Sequence, residues 1–182
     1  VLSSIQNLVK KDAKAASKFI TKFSRLLRTV LENSRQNFVP LEDEIEVLKN
    51  YLDLQKLRFP DLFEYQIDLD DVLEGSMIAI PPMLIQPFVE NAIEHGFKGM
   101  ERPGLIEIRL TSNKAVSDSY INCCIVDDGI GYQMNPTATK KSASVELISS
   151  FIKKATGTVI RINYKDKEKS TGTVIQFKIP TN

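Results

Sequence analysis

The stretch that decides the fold is Pro81-Pro82-Met83-Leu84-Ile85-Gln86-Pro87-Phe88-Val89-Glu90-Asn91-Ala92-Ile93-Glu94-His95-Gly96. It predicts a helix that begins at the proline pair, because a proline in the first turn gives up an N–H that has no partner there. At about 3.6 residues per turn, the residues that fall on the buried side are Ile85, Phe88, Val89, Ala92, Ile93 and Gly96. Asn91 and His95 share an adjacent edge, which faces along the sheet surface, where a ligand could lie.

A second motif, Asp127-Asp128-Gly129-Ile130-Gly131, follows a predicted buried strand at residues 121–126. A carboxylate at a strand end can accept a hydrogen bond from the exocyclic amine of a purine, and glycines let the backbone approach the base without a Cβ. Alone, this pattern is more commonly a tight turn. Together with Asn91 and His95 it indicates a purine-nucleotide site.

These motifs resemble those of the histidine-kinase-type ATP-binding domains, the Bergerat or GHKL fold. Residues 91–96 resemble its N box, Asp127-x-Gly129-x-Gly131 its G1 box, and Gly172-Thr173 its final Gly-Thr pair. Residues 81–96 match almost throughout the pattern of the LytS-like branch of sensor kinases, and residues 51–59 resemble the segment ahead of that branch's first strand. The similarity covers nearly the whole chain.

The resemblance implies that the chain binds ATP with Mg²⁺. Asn91 would be the metal ligand, because an amide oxygen can join an ion that bridges nucleotide phosphates. The implied nucleotide-binding residues are Asn91, His95, Lys98, Asp127, Gly129, Gly131 and Thr173. His95 would contact phosphate and Asp127 would read adenine. The structural alternatives are a helix-surface amide for Asn91, a helix-end residue for His95, and solvated loop cations for Lys98, Arg102, Lys140 and Lys141.

Pro87 argues against hydrolysis of the bound nucleotide. Hydrolytic members of the wider fold, such as gyrase and MutL, place a water-activating Glu four residues before the metal-binding Asn, and here Pro87 occupies that position. Glu90 lies about 100° around the helix from Asn91 and is expected to point away. Phosphoryl transfer to a histidine, which needs mainly positioning and charge neutralisation, is therefore expected instead.

The chain departs from the family pattern in two places. The family's phosphoacceptor lies in a His-Phe-Leu-Phe-Asn segment, and residues 1–5 look like its continuation. We therefore expect the acceptor upstream of Val1 in a longer, membrane-anchored parent, and no catalytic residue in this chain. Second, the glycines of the family's G2 box would fall near residues 142–145, where the chain has Ser-Ala-Ser-Val, so a stiffer lid and weaker ATP binding are expected.

The amino-terminal part predicts a helical hairpin at residues 1–37. From Asp12 to about Asn33, apolar residues recur at steps of three and four; these are Ala16, Phe19, Phe23, Leu26 and Val30, flanked by Ile20, Leu27 and Leu31. So wide a stripe predicts a hairpin that dimerises into a four-helix bundle. The alternative is packing of this helix onto its own domain.

The remainder, residues 38–182, predicts an ATP-binding domain of the α+β class, a two-layer α/β sandwich. Helical patterns span residues 40–58 and begin again at Val145. Strand patterns occupy residues 63–70, 106–110 and 120–126, and a closing pair lies at 159–164 and 173–179. This order suggests helices on one side of a largely antiparallel sheet. The loop at 97–104 is expected to be flexible and basic.

Composition restricts the possible functions. The 182 residues are 42% hydrophobic and 26% charged, and the formal net charge of +1 implies no nucleic-acid partner. No run approaches the ~20 apolar residues that cross a bilayer. The adjacent Cys123 and Cys124 are expected to be reduced, on opposite faces of a strand, as in a cytosolic protein.

The sequence thus predicts the cytoplasmic core of a two-component sensor histidine kinase. It would form a homodimer through its amino-terminal helices, transfer the γ-phosphoryl group of ATP to the upstream histidine, and pass it on to a response regulator. One alternative is a degenerate pseudokinase, or a nucleotide-binding interaction module, that signals by conformation. Another is a serine kinase of the anti-sigma-factor type on the same fold, which the helical hairpin disfavours.

Overall fold

The computed structural model describes residues 12–112, 120–130, 143–164 and 172–182. Four α-helices, a π-helical turn and seven strands lie in these ranges. In chain order they are α1 (Ala13–Asn33), β1 (Val39–Pro40), α2 (Leu41–Arg58), β2 (Phe63–Leu69), β3 (Ala79–Ile80), α3 (Gln86–Asn91), the π-turn (Ala92–Gly96), β4 (Gly104–Ser112), β5 (Tyr120–Asp127), α4 (Ala143–Thr156), β6 (Arg161–Tyr164) and β7 (Thr173–Pro180).

Five strands form one sheet in the order β2-β4-β5-β7-β6, and β1 pairs with β3 separately. Only the β2–β4 pair is parallel within the five-stranded sheet. Side chains along β4 alternate between buried and more exposed positions, so that one face of the sheet is covered. The predicted two-layer sandwich with a largely antiparallel sheet is confirmed.

The two cysteines lie on opposite faces of β5. Cys123 is buried in the core, whereas Cys124 is half-buried, and both thiols are free. Burial raises the pKa of the Cys123 thiol well above its ordinary value, so this side chain behaves as a small apolar core residue.

Helix α1 packs one of its faces against α2. Ala16, Phe19 and Leu26 are buried there, and Lys22 pairs with Asp53 of α2 at 3.4 Å. This face therefore packs on the helix's own domain, as the alternative to dimerisation expected from the sequence proposed. A second face remains apolar and exposed, with Ile20, Leu27 and Leu31 at 44%, 45% and 63%. The first helix of the predicted hairpin, at residues 1–11, lies outside the described residues.

The predicted start of the central helix at Pro81-Pro82 is wrong. The chain leaves β3 through a turn in which Met83 adopts φ +62°, and α3 begins only at Gln86, with Pro87 in its first turn. The predicted buried side is confirmed for Ile85, Phe88, Val89, Ala92 and Ile93. Beyond Asn91 the helix widens into the π-turn, so its geometry departs from the α-helical period assumed from sequence.

Glu44 of α2 holds the turn before α3. Its side chain is buried, and its Oε1 accepts a hydrogen bond of 2.7 Å from the Met83 N–H. Its Oε2 is a buried oxygen without a hydrogen-bond partner in the described part of the chain. Burial raises the pKa of Glu44 to about 7, and the Met83 N–H only partly offsets that rise. The ionised carboxylate therefore costs the fold stability at neutral pH.

Replacing Glu44 by Gln measures that cost. A carboxyl with a raised folded-state pKa stabilises the fold below its unfolded pKa, near 4.5, and this contribution is lost as the pH rises to about 7. We expect the free energy of unfolding of the wild type to fall, relative to that of Glu44→Gln, by about 3 kcal/mol over this range, since one pKa unit is worth about 1.4 kcal/mol. Urea unfolding at several pH values measures the difference, and parallel pH profiles would contradict it.

Candidate functional site

Asp127 lies at the end of β5 and is one of the few buried carboxylates of the described chain, 6% exposed. Its Oδ1 accepts a hydrogen bond of 3.0 Å from the Gly129 N–H, and the side chain and backbone of Thr173 interact with the same carboxyl group. Burial raises the pKa of Asp127 above its ordinary value, while the Gly129 and Thr173 bonds lower it. The carboxylate is thus oriented by donors on one side.

The helix motif and the strand motif meet at Gly96. The Gly96 carbonyl oxygen accepts a hydrogen bond of 2.8 Å from the Ile130 N–H. A Cβ on Gly129 would lie 2.5 Å from the same oxygen, and a Cβ on Gly96 would lie 3.6 Å from Asp127 Oδ1. The close approach therefore requires glycine at position 129. It places the end of the π-turn directly against the Asp127 carboxylate.

The other predicted residues of the helix lie on the turns that lead to Gly96. Asn91 is half-buried at the last position of α3. His95 lies in the π-turn and Lys98 follows it, both exposed. π-turns recur at functional sites because they redirect side chains along a helix. The arrangement offers an amide, an imidazole and an ammonium group on one segment.

Gly172 precedes β7 and lies against the same strand end. Its φ is +132°, and a Cβ there would lie 2.1 Å from the Asp127 backbone oxygen. Asp127 pairs with Thr173 in the β5–β7 ladder. The Gly-Thr pair thus brings the Thr173 donors to the carboxylate. Sequence reasoning identified this pair only by resemblance and missed the steric requirement for glycine at position 172.

The loop after the π-turn is anchored, which corrects the expectation of a flexible segment. Phe97 is fully buried and its ring stacks on Phe63 with centroids 6.2 Å apart. Arg102 forms an ion pair with Asp128, whose Oδ1 also accepts a hydrogen bond of 2.6 Å from the Leu105 N–H. Arg102 is therefore paired with Asp128, while its side chain remains 59% exposed, in keeping with the alternative of a solvated loop cation.

Several predicted features lie outside the described residues. These are Gly131, Lys140, Lys141 and Ser142, at the start of the predicted lid. Sequence reasoning also missed Asp128 as a structural anchor and Glu44 as the partner of Met83. The two consecutive acids Asp127 and Asp128 were a signal for the role of Asp128. The hydrogen bond between Glu44 and Met83 joins residues 39 positions apart, so no local pattern could reveal it.

The donor set fits a magnesium ion that is bound largely by phosphate and water. In the described ranges no three His, Cys, Asp or Glu side chains form a cluster that could hold a metal. Asn91 offers one oxygen, which suits an ion that takes one or two protein ligands and shares the nucleotide phosphates. None of the described helices is both long and apolar enough to cross a membrane.

Comparisons with known proteins agree on one family. The family model for histidine kinases matches residues 1–63. A sensor protein LytS from Oceanobacillus iheyensis is 33% identical over 129 residues, which cover 71% of this chain and 21% of that protein. The chain therefore spans about a fifth of the length of this curated relative.

Solved structures share the fold. The histidine kinase domain of a blue-light-activated kinase from Erythrobacter litoralis EL346 superposes with a TM-score of 0.55 at 14% identity, covering 96% of this chain and 80% of that one. The histidine kinase ThkA, in complex with the response regulator TrrA, superposes with a TM-score of 0.53 at 12% identity, covering 100% of this chain and 57% of that one. At these identities the likeness establishes the fold alone.

Proposed function

The chain belongs to the LytS-like sensor histidine kinases, and on that basis we propose that it binds Mg·ATP and donates the γ-phosphoryl group to a histidine elsewhere in the full-length protein. The observation that carries the proposal is the meeting of the Asp127 carboxylate with the end of the Asn91 helix at Gly96. Adenine would be read by Asp127, and the phosphates would extend toward Asn91, His95 and Lys98. When bound, Mg²⁺ would neutralise phosphate charge.

The chain's own residues would position the nucleotide rather than activate water. Pro87 has no proton-accepting side chain, and Glu90 is exposed on α3. The pKa of Glu90 is raised by partial burial and by the neighbouring Glu94. Because position 87 holds no carboxylate and Glu90 is exposed, the described part of the site favours transfer to a protein acceptor over hydrolysis.

Calorimetric titration of the chain with ATP and Mg²⁺ tests the proposal. We expect saturable binding with a dissociation constant below about 1 mM. The same titration tests the pseudokinase alternative, which the Ser and Ala residues at 142–144 favour. Absence of binding at higher ATP concentrations would reject the ATP-dependent function and leave the interaction module.

The metal role of Asn91 predicts a specific loss. Asn91→Ala should weaken Mg·ATP binding about tenfold, whereas binding of ATP in EDTA should change less than about threefold, because only the metal-dependent part of the affinity is removed. Glu94→Gln, an exposed change on the same turn, serves as the matched control. Equal losses with and without Mg²⁺ would assign Asn91 to the nucleotide itself.

We also propose that the exposed face of α1 forms the homodimer. Its apolar residues Ile20, Leu27 and Leu31 lie at helical spacing and are uncovered in the single chain. Replacing all three by Gln should convert a dimer into a monomer in sedimentation equilibrium. Leu147→Gln on α4, where the side chain is 72% exposed, should leave the mass unchanged. A wild type that is monomeric at high concentration would contradict this surface.

The partner and location follow from the same proposal. The complex of ThkA with the response regulator TrrA supports a response regulator as the next phosphoryl acceptor for this chain. Cytoplasmic placement, below a membrane-anchored sensory part, is proposed from the LytS relatives. Phosphotransfer from the full-length protein to a candidate regulator, with acid-labile phosphate on the kinase, distinguishes it from a serine kinase on this fold.

A further inference from the structure

Glu44 is a costly residue at its position in α2. Its Oε2 is buried without a partner in the described part of the chain, and burial raises its pKa to about 7. A Gln or an apolar residue of similar size would avoid the cost of burying a carboxylate. A buried polar group that lowers stability needs an explanation beyond packing.

The Glu44 carboxylate stabilises an unfavourable backbone conformation. Met83 adopts φ +62°, a region that residues with a Cβ rarely occupy. The 2.7 Å hydrogen bond from the Met83 N–H to Glu44 Oε1 offsets this strain. Three residues later α3 begins, and it ends at Asn91. The position of Asn91 therefore depends on the turn that Glu44 holds.

Helix α2 also interacts electrostatically with the site helix. Tyr51 lies two helical turns after Glu44 and is buried. Burial raises the pKa of its hydroxyl, and the carboxylates of Glu90 on α3 and Glu94 in the π-turn raise it further. On its other side α2 receives Lys22 of α1 through Asp53. Helix α2 thus contacts α1 through Asp53 and the turn before the site helix through Glu44.

We propose that Glu44 is a positioning residue for the nucleotide site: by holding Met83 in its left-handed turn, it sets the position of the helix that carries Asn91. This inference rests on the proposed ATP site and assigns Glu44 no chemical step. The same hydrogen bond couples the α1–α2 pair to nucleotide affinity, because a shift of α2 would move the Glu44 carboxylate away from the Met83 N–H.

Titration of the full 182-residue chain with Mg·ATP tests the proposal through two forms of rescue. Glu44→Ala should weaken binding about tenfold, while Glu44→Gln, whose amide oxygen still accepts from Met83, should stay within about threefold of the wild type. Adding Met83→Gly to Glu44→Ala should restore affinity, because glycine adopts a positive φ without strain. Circular dichroism of each variant at the titration temperature separates this pattern from a loss of stability.

Glu46→Ala is the matched control, since this side chain on the same helix is 66% exposed. Equal affinities of folded Glu44→Ala and the wild type would overturn the positioning role. Should Glu44→Ala not fold, Glu44→Asp replaces it, because its carboxylate is one methylene too short for Met83, and again equal affinity overturns the role. No binding by the wild type would instead overturn the ATP site.

Discussion

Asp127→Asn should abolish measurable ATP binding, with an affinity loss of at least about a thousandfold. The carboxylate receives donors from Gly129 and Thr173 on the protein side, which leaves its remaining lone pairs for the ligand amine. An Asn amide presents one oxygen and one NH₂ group, so when its oxygen accepts from the Gly129 N–H, its NH₂ group faces the ligand amine, which is a second donor. Losing a charge-assisted bond and burying an unpaired donor together cost about 4 kcal/mol, a thousandfold in affinity.

Asp128→Asn is the matched control for this loss. The neighbouring acid anchors Leu105 and Arg102 instead of facing the site helix. We expect its dissociation constant for Mg·ATP to stay within about threefold of the wild type. Calorimetry on both variants, with circular dichroism to verify folding, makes the comparison. Equal losses in the two would show that charge at this strand end matters but that Asp127 does not read the base.

Gly172→Ala should lower the free energy of unfolding by at least about 4 kcal/mol. Two costs add here: a backbone at φ +132°, which L-residues rarely adopt, and a Cβ 2.1 Å from the Asp127 carbonyl oxygen. That oxygen belongs to the main chain at the end of the central strand β5, so it cannot move aside as a flexible side chain could. Urea unfolding measures the loss.

Gly157→Ala separates the two costs. Gly157 also has a positive φ, +67°, but its Cβ would meet nothing within 4 Å. Only the conformational cost, about 1 kcal/mol, is expected there. If both glycine variants lose equal stability, the steric argument at Gly172 is wrong.

Spacing predicted the buried side of the central helix because burial depends mainly on which residues share a face. Ile85, Phe88 and Val89 are buried as expected, although the helix starts later than the proline pair suggested. The local proline signal failed because Met83 finds its hydrogen-bond acceptor on α2, far away in sequence. Residues that meet only in three dimensions leave no periodic pattern.

The candidate site likewise contains features that the sequence could predict and features that it could not. The residue types at 91, 95, 127 and 129 could be chosen from sequence because each has a chemistry suited to a nucleotide. Two contacts could not be predicted from sequence: the close approach of Gly96 to Gly129 and the ion pair of Arg102 with Asp128. Both depend on how the loop at 97–104 folds back onto the end of β5. Phe97, an ordinary apolar residue in the sequence, is what anchors that loop.

The outer strands of the five-stranded sheet bear on self-association. In the described part of the chain, β2 and β6 each pair on one side only. Strand β6 has four residues and exposes Arg161 and Asn163, while β2 presents Glu64, Gln66 and Asp68 between its apolar residues. Short or charged borders discourage strand-by-strand growth into fibrils. Crowding at high protein concentration should therefore favour discrete pairs of chains over open-ended aggregates.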